Sequence, residues 1–573
     1  MGAEEVETAD LSDKALVSAI REVLASAQSG DTDQYNELVQ LMYIKKKKSG
    51  DDAMAQPEVP DDVDVVAQRE TLLKILSHSV ACLDDVHHNH LLQLILGTRI
   101  WDHKPNVIYA LLDLIISLAT TSGKHLSSCL DTLVSNLRSQ PRKLDNKMLE
   151  VLSRVHAALH KISYLVPLAP SILLPILAQS MPSVHDKARL QVVVPYVKNL
   201  LKLENSSIIG KVVGKDILMM VMGRFRDLDS EIECDDNLQN DSSLAMFDME
   251  LDVAVEGTLV SKLLDDLMVE SFNHLKSCQD AGRLDEVFEN LFESFENLIL
   301  NTQKLKFSQF LMFYACSLDP ENCGVKFASK LLEKFLSSNN NQVTRTNAVT
   351  YLASYLARAN FLSASFVASM LKRLVDECAD YCRTCNDDAR PEVHQVFYSG
   401  CQAILYVLCF RMRSILEVPH FQSQLTPLES VLSHKLDPLR VCLSSVVSEF
   451  LIQAKACGLF IVSDAFIFDD LSESELSRAL GGFFPFPWLL EKSNSLISPH
   501  FIKRSEVKKT YEQAEVTVYG DTDNEEDSDD DVDPDNEMNK MSITPKHSVM
   551  HETERLLKMP SRISPSTSPR ESL

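Results

Sequence analysis

The chain is short of glycine, with 16 among 573 residues. It also has no alternating apolar–polar stretch long enough to argue for a sheet. Both shortages point to helix. Positive charge is scarce too: 56 Lys and Arg stand against 82 Asp and Glu, a net charge of −26. Phosphate affinity needs Lys and Arg in excess, so this balance excludes nucleic-acid binding through bulk electrostatics, and no direct sequence-specific DNA binding is expected. Long apolar runs are missing as well. The two best, 107–119 and 162–178, are broken by Asp113 and by Pro167, Pro170 and Pro175. Neither supplies the ~20 apolar residues of a membrane span, so no membrane contact is expected. The opening MGAEEVETAD has neither region of a signal peptide, and Val6 stands where myristoylation needs Ser or Thr.

What is present is apolar residues at helical spacing. The 13 cysteines, an odd number, sit mostly inside such patterns, as Cys316, Cys401, Cys409 and Cys442 do. That usage fits reduced thiols packed as small hydrophobes in a soluble intracellular protein. From residue 65 to 203, helical segments follow one another at intervals of roughly 20 residues, with Pro, Gly, Asn or Ser in the breaks. Leu284, Phe288, Leu291, Phe295 and Leu298 form a stripe on one helix face. Phe307, Phe310, Leu311 and Tyr314 form another, and Ala348, Leu352, Tyr355 and Ala359 a third. Phe313, Tyr351 and Phe361 lie off those faces, so both of the latter helices must be covered on more than one side. Thr426-Pro427-Leu428-Glu429 and Asp437-Pro438 read as capped helix starts.

Helix pairs of about 40 residues without strict identity predict an all-α, HEAT-like helical-repeat solenoid. The expected organisation is 1–64, N-terminal helices and a polar linker; 65–226, the first half of the solenoid; 227–252, a disordered acidic loop; 253–510, the second half; and 511–573, a disordered acidic and Ser/Pro-rich tail. Eleven acidic residues and no basic one lie between 521 and 537.

No catalytic constellation can be assembled. Gly210-Lys211-Val212-Val213-Gly214-Lys215-Asp216 has its glycines one residue too close for a phosphate loop, and Asp216 stands where Ser or Thr is needed. His156 and His160 share a helix face, but Ala157 replaces the glutamate of a zinc protease. Cys378, Cys382 and Cys385 have metal-like spacing with only His394 nearby, short of the four ligands of zinc. The chain is therefore expected to be no enzyme, to hold no metal or cofactor, and to work by its surface.

Five segments in fixed order carry a family resemblance: FSQFLMFYACS (307–317), YLASYLARANF (351–361), FYSGCQAILYVLCFR (397–411), LDPLRVCLSSVV (436–447) and GGFFPFPW (481–488), with ILLPILAQSMP (172–182) before them. They closely resemble the RNA polymerase I-specific transcription initiation factors of the TIF-IA type, in a plant-like form. The resemblance implies a HEAT-repeat fold and a nuclear, chiefly nucleolar, location. It implies binding to RNA polymerase I near its stalk, bridging to the promoter-bound core factor, and the start of ribosomal RNA synthesis. A homodimer is compatible with it. A HEAT-type scaffold or nuclear transport receptor would share the solenoid and the acidity, but not these segments in order.

The same resemblance implies a serine-bearing, phosphorylation-controlled polymerase contact. Ser128, Thr132, Ser135 and Ser139 form one helical stripe with Ser127 beside it, and are its candidates here. Thr544, Ser564 and Ser568 each precede proline and are candidate sites for proline-directed kinases. Lys45, Lys46, Lys47 and Lys48 are a candidate nuclear import signal, as are Lys503-Arg504 and Lys508-Lys509.

Overall fold

In the computed structural model, residues 2–42, 63–232, 258–459 and 490–507 are described, apart from 122, 140–144, 187–188, 303–304, 386–389, 419–420 and 505–506. They fall within one unit, Met1–Ala514. No strand occurs among the described residues, only an isolated bridge between Ala359 and Phe501.

The chain opens with α1 (Gly2–Ser29), α2 (Asp33–Met42), α3 (Val63–Ser77), α4 (Asn89–Leu96) and α5 (Pro105–Thr121). Next come α6 (Leu126–Arg138), α7 (Asn146–Leu165), α8 (Ala169–Ser180), α9 (Val193–Glu204) and α10 (Ile209–Ser230). The second half holds α11 (Leu259–Asp280), α12 (Leu284–Leu298), α13 (Phe310–Leu318), α14 (Val325–Leu336), α15 (Gln342–Arg358) and α16 (Ala364–Thr384). It closes with α17 (Gln395–Leu416), α18 (Phe421–Gln424), α19 (Thr426–Leu432), α20 (Pro438–Val441), α21 (Ser444–Ala456) and α22 (Glu491–Ile497).

Many helices stack on the helix two places along. Thus α3 packs on α5, α5 on α7, α6 on α8, α8 on α10, α10 on α12, α9 on α11 and α15 on α17. Neighbours such as α9 and α10, α14 and α15, and α16 and α17 pack on each other as well, so each layer is covered by the next, as in a solenoid. The α12 stripe is buried at Leu284, Phe288, Leu291 and Phe295. Every residue of α13 from Phe310 to Ser317 is buried. Around it Phe313 meets Phe361, Phe501 and Tyr355 at ring distances of 5.4, 5.9 and 6.1 Å, and Phe327 meets Tyr355 at 5.0 Å. Each such ring contributes very roughly 1.5–3 kcal/mol through burial.

Among the described residues, one helix is long and apolar enough to cross a membrane, and the run-length criterion did not single it out. By length and composition Pro391–Leu416 could cross a membrane, but 83% of its apolar window is buried inside the protein. It packs against α15, α16 and α21, so it is apolar on all sides because it is enclosed on all sides.

Several local expectations change. Helix α10 continues through Asp227 to Ser230, so the acidic block begins inside the fold. Asp229 is buried, and its carboxylate accepts backbone N–H groups of Lys306, Phe307 and Ser308 and the Ser308 hydroxyl at 2.7–3.2 Å. It thereby collects the donors that lead into α13. The phosphate-loop-like residues 210–216 lie within α10. Gly210 is required there because an added Cβ would stand 1.8 Å from the Glu204 carbonyl oxygen.

Neither proline start is capped as expected. Thr426 is helical and its hydroxyl donates to the Ser423 carbonyl. Asp437 sits in left-handed backbone at φ 44° with no side-chain cap. Among the described residues, side-chain caps form at Asp145, Thr258, Asp319, Asn341 and Ser363, each accepting the N–H three residues on.

The segment 490–507 runs back across the second half. Asp265 on α11 accepts the N–H groups that open α22. Ile502 donates to the Arg358 carbonyl at 2.8 Å. Arg504 is buried, paired with Glu449, and donates to the Cys409 carbonyl at 3.3 Å. Its guanidinium is thus an internal tie and not an exposed import signal. Residues 233–252, 481–488 and 511–573 lie outside the described residues.

Candidate functional site

The serine stripe belongs to α6, and its surroundings explain why that helix sits where it does. On the inner side, Asn136 Oδ1 accepts the Ile100 N–H at 3.0 Å, and its Nδ2 donates to the carbonyls of Thr132 and Thr98 at 2.8 and 3.3 Å. Trp101 Nε1 donates to the Asn136 carbonyl at 2.9 Å. Thr132 is buried, and its hydroxyl donates to the carbonyls of Leu96 at 2.7 Å and Ser128 at 2.8 Å. Of the five candidates, Thr132 therefore faces inward and ties α6 to the last residue of α4.

The other four lie outward. Ser127 and Ser128 are exposed at the start of α6, and Ser135 and Ser139 are half-buried at its end. Ser135 and Ser139 line a cleft of about 250 Å³ with Asp131, Arg99 and residues 96–98, and Thr132 and Asn136 lie at its inner wall. Arg99 and Asp131 are exposed, so the cleft offers one charge of each sign beside two hydroxyls. Periodicity gave the stripe. It could not give the inward turn of Thr132, which depends on carbonyls 36 residues away. Tyr164, Leu165 and Leu168 are exposed at the turn between α7 and α8, both of which pack against α6.

The remaining candidates of reactive type have structural surroundings. His156 is buried with Nε2 at 3.0 Å from Asn199 Oδ1, and burial pulls its pKa down to about 4, so it is neutral. His160 is exposed. Cys378 is buried, while Cys382 and Cys385 are half-buried free thiols. Burial pushes Cys382 up to about 12, so it stays protonated. Lys45, Lys46, Lys47, Lys48, Thr544, Ser564 and Ser568 lie outside the described residues.

The model of the family described as RNA polymerase I specific transcription initiation factor RRN3 matches residues 9–254 and 235–509. The RNA polymerase I-specific transcription initiation factor rrn3 of Schizosaccharomyces pombe is 30% identical over 259 residues, covering 42% of this chain and 42% of that protein. The chain thus spans less than half the length of that relative. The RNA polymerase I-specific transcription initiation factor RRN3 of Mus musculus is 24% identical over 535 residues, covering 80% of this chain and 79% of that protein. The crystal structure of RNA Polymerase I Transcription Initiation Factor Rrn3 superposes with a TM-score of 0.68 at 20% identity, over 86% of this chain and 98% of that one. At that identity the superposition speaks for the fold.

Proposed function

The chain belongs to the RNA polymerase I-specific transcription initiation factor RRN3 family, and from that membership we propose that it binds RNA polymerase I and readies it to start ribosomal RNA synthesis. The family is one of initiation factors and not of enzymes. The observation that carries the reading is the family match over both halves of the chain, in two overlapping segments, 9–254 and 235–509. The surface supports it: an all-helical array with a polar cleft is suited to docking.

In this reading the 65–226 half presents the outward serines of α6 to the polymerase near its stalk. The 253–510 half bridges to the promoter-bound core factor. The segments 1–64, 227–252 and 511–573 serve as terminal and connecting regions. A phosphate on Ser135 or Ser139 adds about 1.5–2 negative charges to the cleft. Opposite charges about 4 Å apart are worth about 4 kcal/mol near a protein surface, and a tenfold affinity change needs only about 1.4 kcal/mol. One modification is therefore enough to switch docking. Thr544, Ser564 and Ser568 add a second layer of phosphorylation in the tail, and Lys45, Lys46, Lys47 and Lys48 direct nuclear import. The protein then acts in the nucleus, chiefly in the nucleolus, and self-association into a homodimer is one way to hold it in reserve.

The test is promoter-dependent transcription in a nuclear extract depleted of this protein. Specific ribosomal RNA initiation should fall and return on adding the purified chain. Unchanged initiation after depletion, or equal rescue by an unrelated HEAT-type protein, overturns the reading.

A further inference from the structure

Glu204, the last residue of α9, meets His274 and Cys278 of α11 in a buried cluster. His274 and Cys278 are four residues apart and so share a helix face. His274 Nε2 is 2.9 Å from Glu204 Oε2 and 3.5 Å from Cys278 Sγ. All three donor atoms lie within 4.8 Å of one another, the only such trio of His, Cys, Asp or Glu side chains among the described residues. Glu204 and Cys278 are buried, and the His274 side chain is 8% exposed.

We propose that this trio is a zinc-type site, in which a borderline-soft divalent cation is held by Glu204 Oε2, His274 Nε2 and Cys278 Sγ. Around tetrahedral zinc, ligand bonds of about 2.0–2.3 Å separate the donor atoms by about 3.3–3.6 Å. The observed 2.9 and 3.5 Å need only a small adjustment. A buried ion pair is the competing account, and one feature speaks against it as the full description. Glu204 Oε2 has no directed hydrogen bond despite the His274 nitrogen beside it. A cation between the three donors would give that oxygen a directed partner.

The supporting partners fit as well. Arg283 donates to Glu204 Oε1 at 2.6 Å and to Asn205 Oδ1 at 2.7 Å. It thereby orients the carboxylate and leaves Oε2 for the ion, as outer partners of ligating carboxylates do. Gly214 of α10 faces the carboxylate, with an added Cβ 3.5 Å from Cγ and Oε1. A cleft of about 210 Å³ lined by Lys198, Lys202, Glu270 and Asn273 reaches His274 and gives water a route to the fourth position. The ion staples α9 to α11, across the join between the two halves. Binding displaces the Cys278 thiol proton to bulk water, and no electron moves.

The experiment uses the purified full chain, stripped with a chelator and titrated with Co²⁺ as the spectroscopic probe. One equivalent should bind with a thiolate-to-cobalt absorption band, displaced by Zn²⁺, and stoichiometric Zn²⁺ but not Mg²⁺ should raise the Tm. Cys278→Ser should abolish the band. His274→Gln should weaken binding roughly 100-fold or more, beyond the ten- to hundredfold typical of losing a supporting partner. Cys382→Ser with Cys385→Ser should leave the band intact. No band, no zinc-specific shift, or a band that survives Cys278→Ser overturns the proposal. Should Cys278→Ser not fold, zinc-edge X-ray absorption of the native chain decides: one sulfur with nitrogen and oxygen supports the site, and any other shell contradicts it.

Discussion

Asp265 and Ser493 are 228 residues apart, and the Asp265 carboxylate accepts the Ser493 backbone N–H at 2.8 Å. Its other oxygen accepts the N–H of Lys492 at 2.6 Å, so one side chain of α11 caps the first turn of α22. Asp265→Ala removes the cap and its charge at a helix N-terminus, together about 2 kcal/mol. Limited proteolysis should show cleavage within 490–507 at protease levels that spare the native chain.

Asp229 has a larger burden, because three backbone N–H groups and one hydroxyl converge on it. Asp229→Ala would leave those donors buried without an acceptor, costing about 3 kcal/mol or more. Denaturant titration should show the midpoint falling with little change in slope. Asp229→Asn, which keeps an acceptor oxygen, should fall between the two.

His156 makes stability depend on pH. Burial lowers its pKa to about 4 in the folded protein, whereas an unfolded histidine titrates near 6.5. The unfolded chain therefore binds the proton first, and the contribution of neutral His156 is present above about 6.5 and lost as pH falls towards 4. The loss approaches about 3 kcal/mol. Replacing it by His156→Gln should flatten the stability profile between pH 6.5 and 4 while leaving the profile above 7 parallel to the native one.

Ser135→Asp and Ser139→Asp together test the α6 cleft. Both line the cleft that holds Arg99 and Asp131. Polymerase retention should change at least several-fold while the melting temperature stays within a degree or two, because neither side chain is in the core. Unaltered retention would remove α6 from the docking surface. Thr132→Val acts through the fold instead: it should lower stability by about 1 kcal/mol through the lost Leu96 bond, a loss read by denaturant titration.

Much of the fold was legible in the sequence, since the stripe of α12 and the doubly covered helices α13 and α15 follow from period-3.6 spacing alone. The caps at Thr426 and Asp437 misled because a cap depends on backbone angles that composition does not fix. Asp229 and Arg504 look like members of an acidic block and a basic cluster. Their partners, the 306–308 backbone and Glu449, are 50 to 80 residues away, beyond any local pattern. The Glu204, His274 and Cys278 trio escaped for the same reason, with one ligand on α9 and two on α11. For the docking surface, spacing gave the stripe and only packing could sort inward Thr132 from outward Ser135.

On the proposed function, this helical array recruits one polymerase among three. The direct measurement is quantitative affinity purification of the tagged full chain from nuclei, scored by the largest subunits of RNA polymerases I, II and III. Polymerase I should be strongly enriched over the other two, with recovery altered several-fold by the Ser135 and Ser139 substitutions. Equal recovery of all three, or recovery of none alongside transport or scaffold complexes, would contradict it.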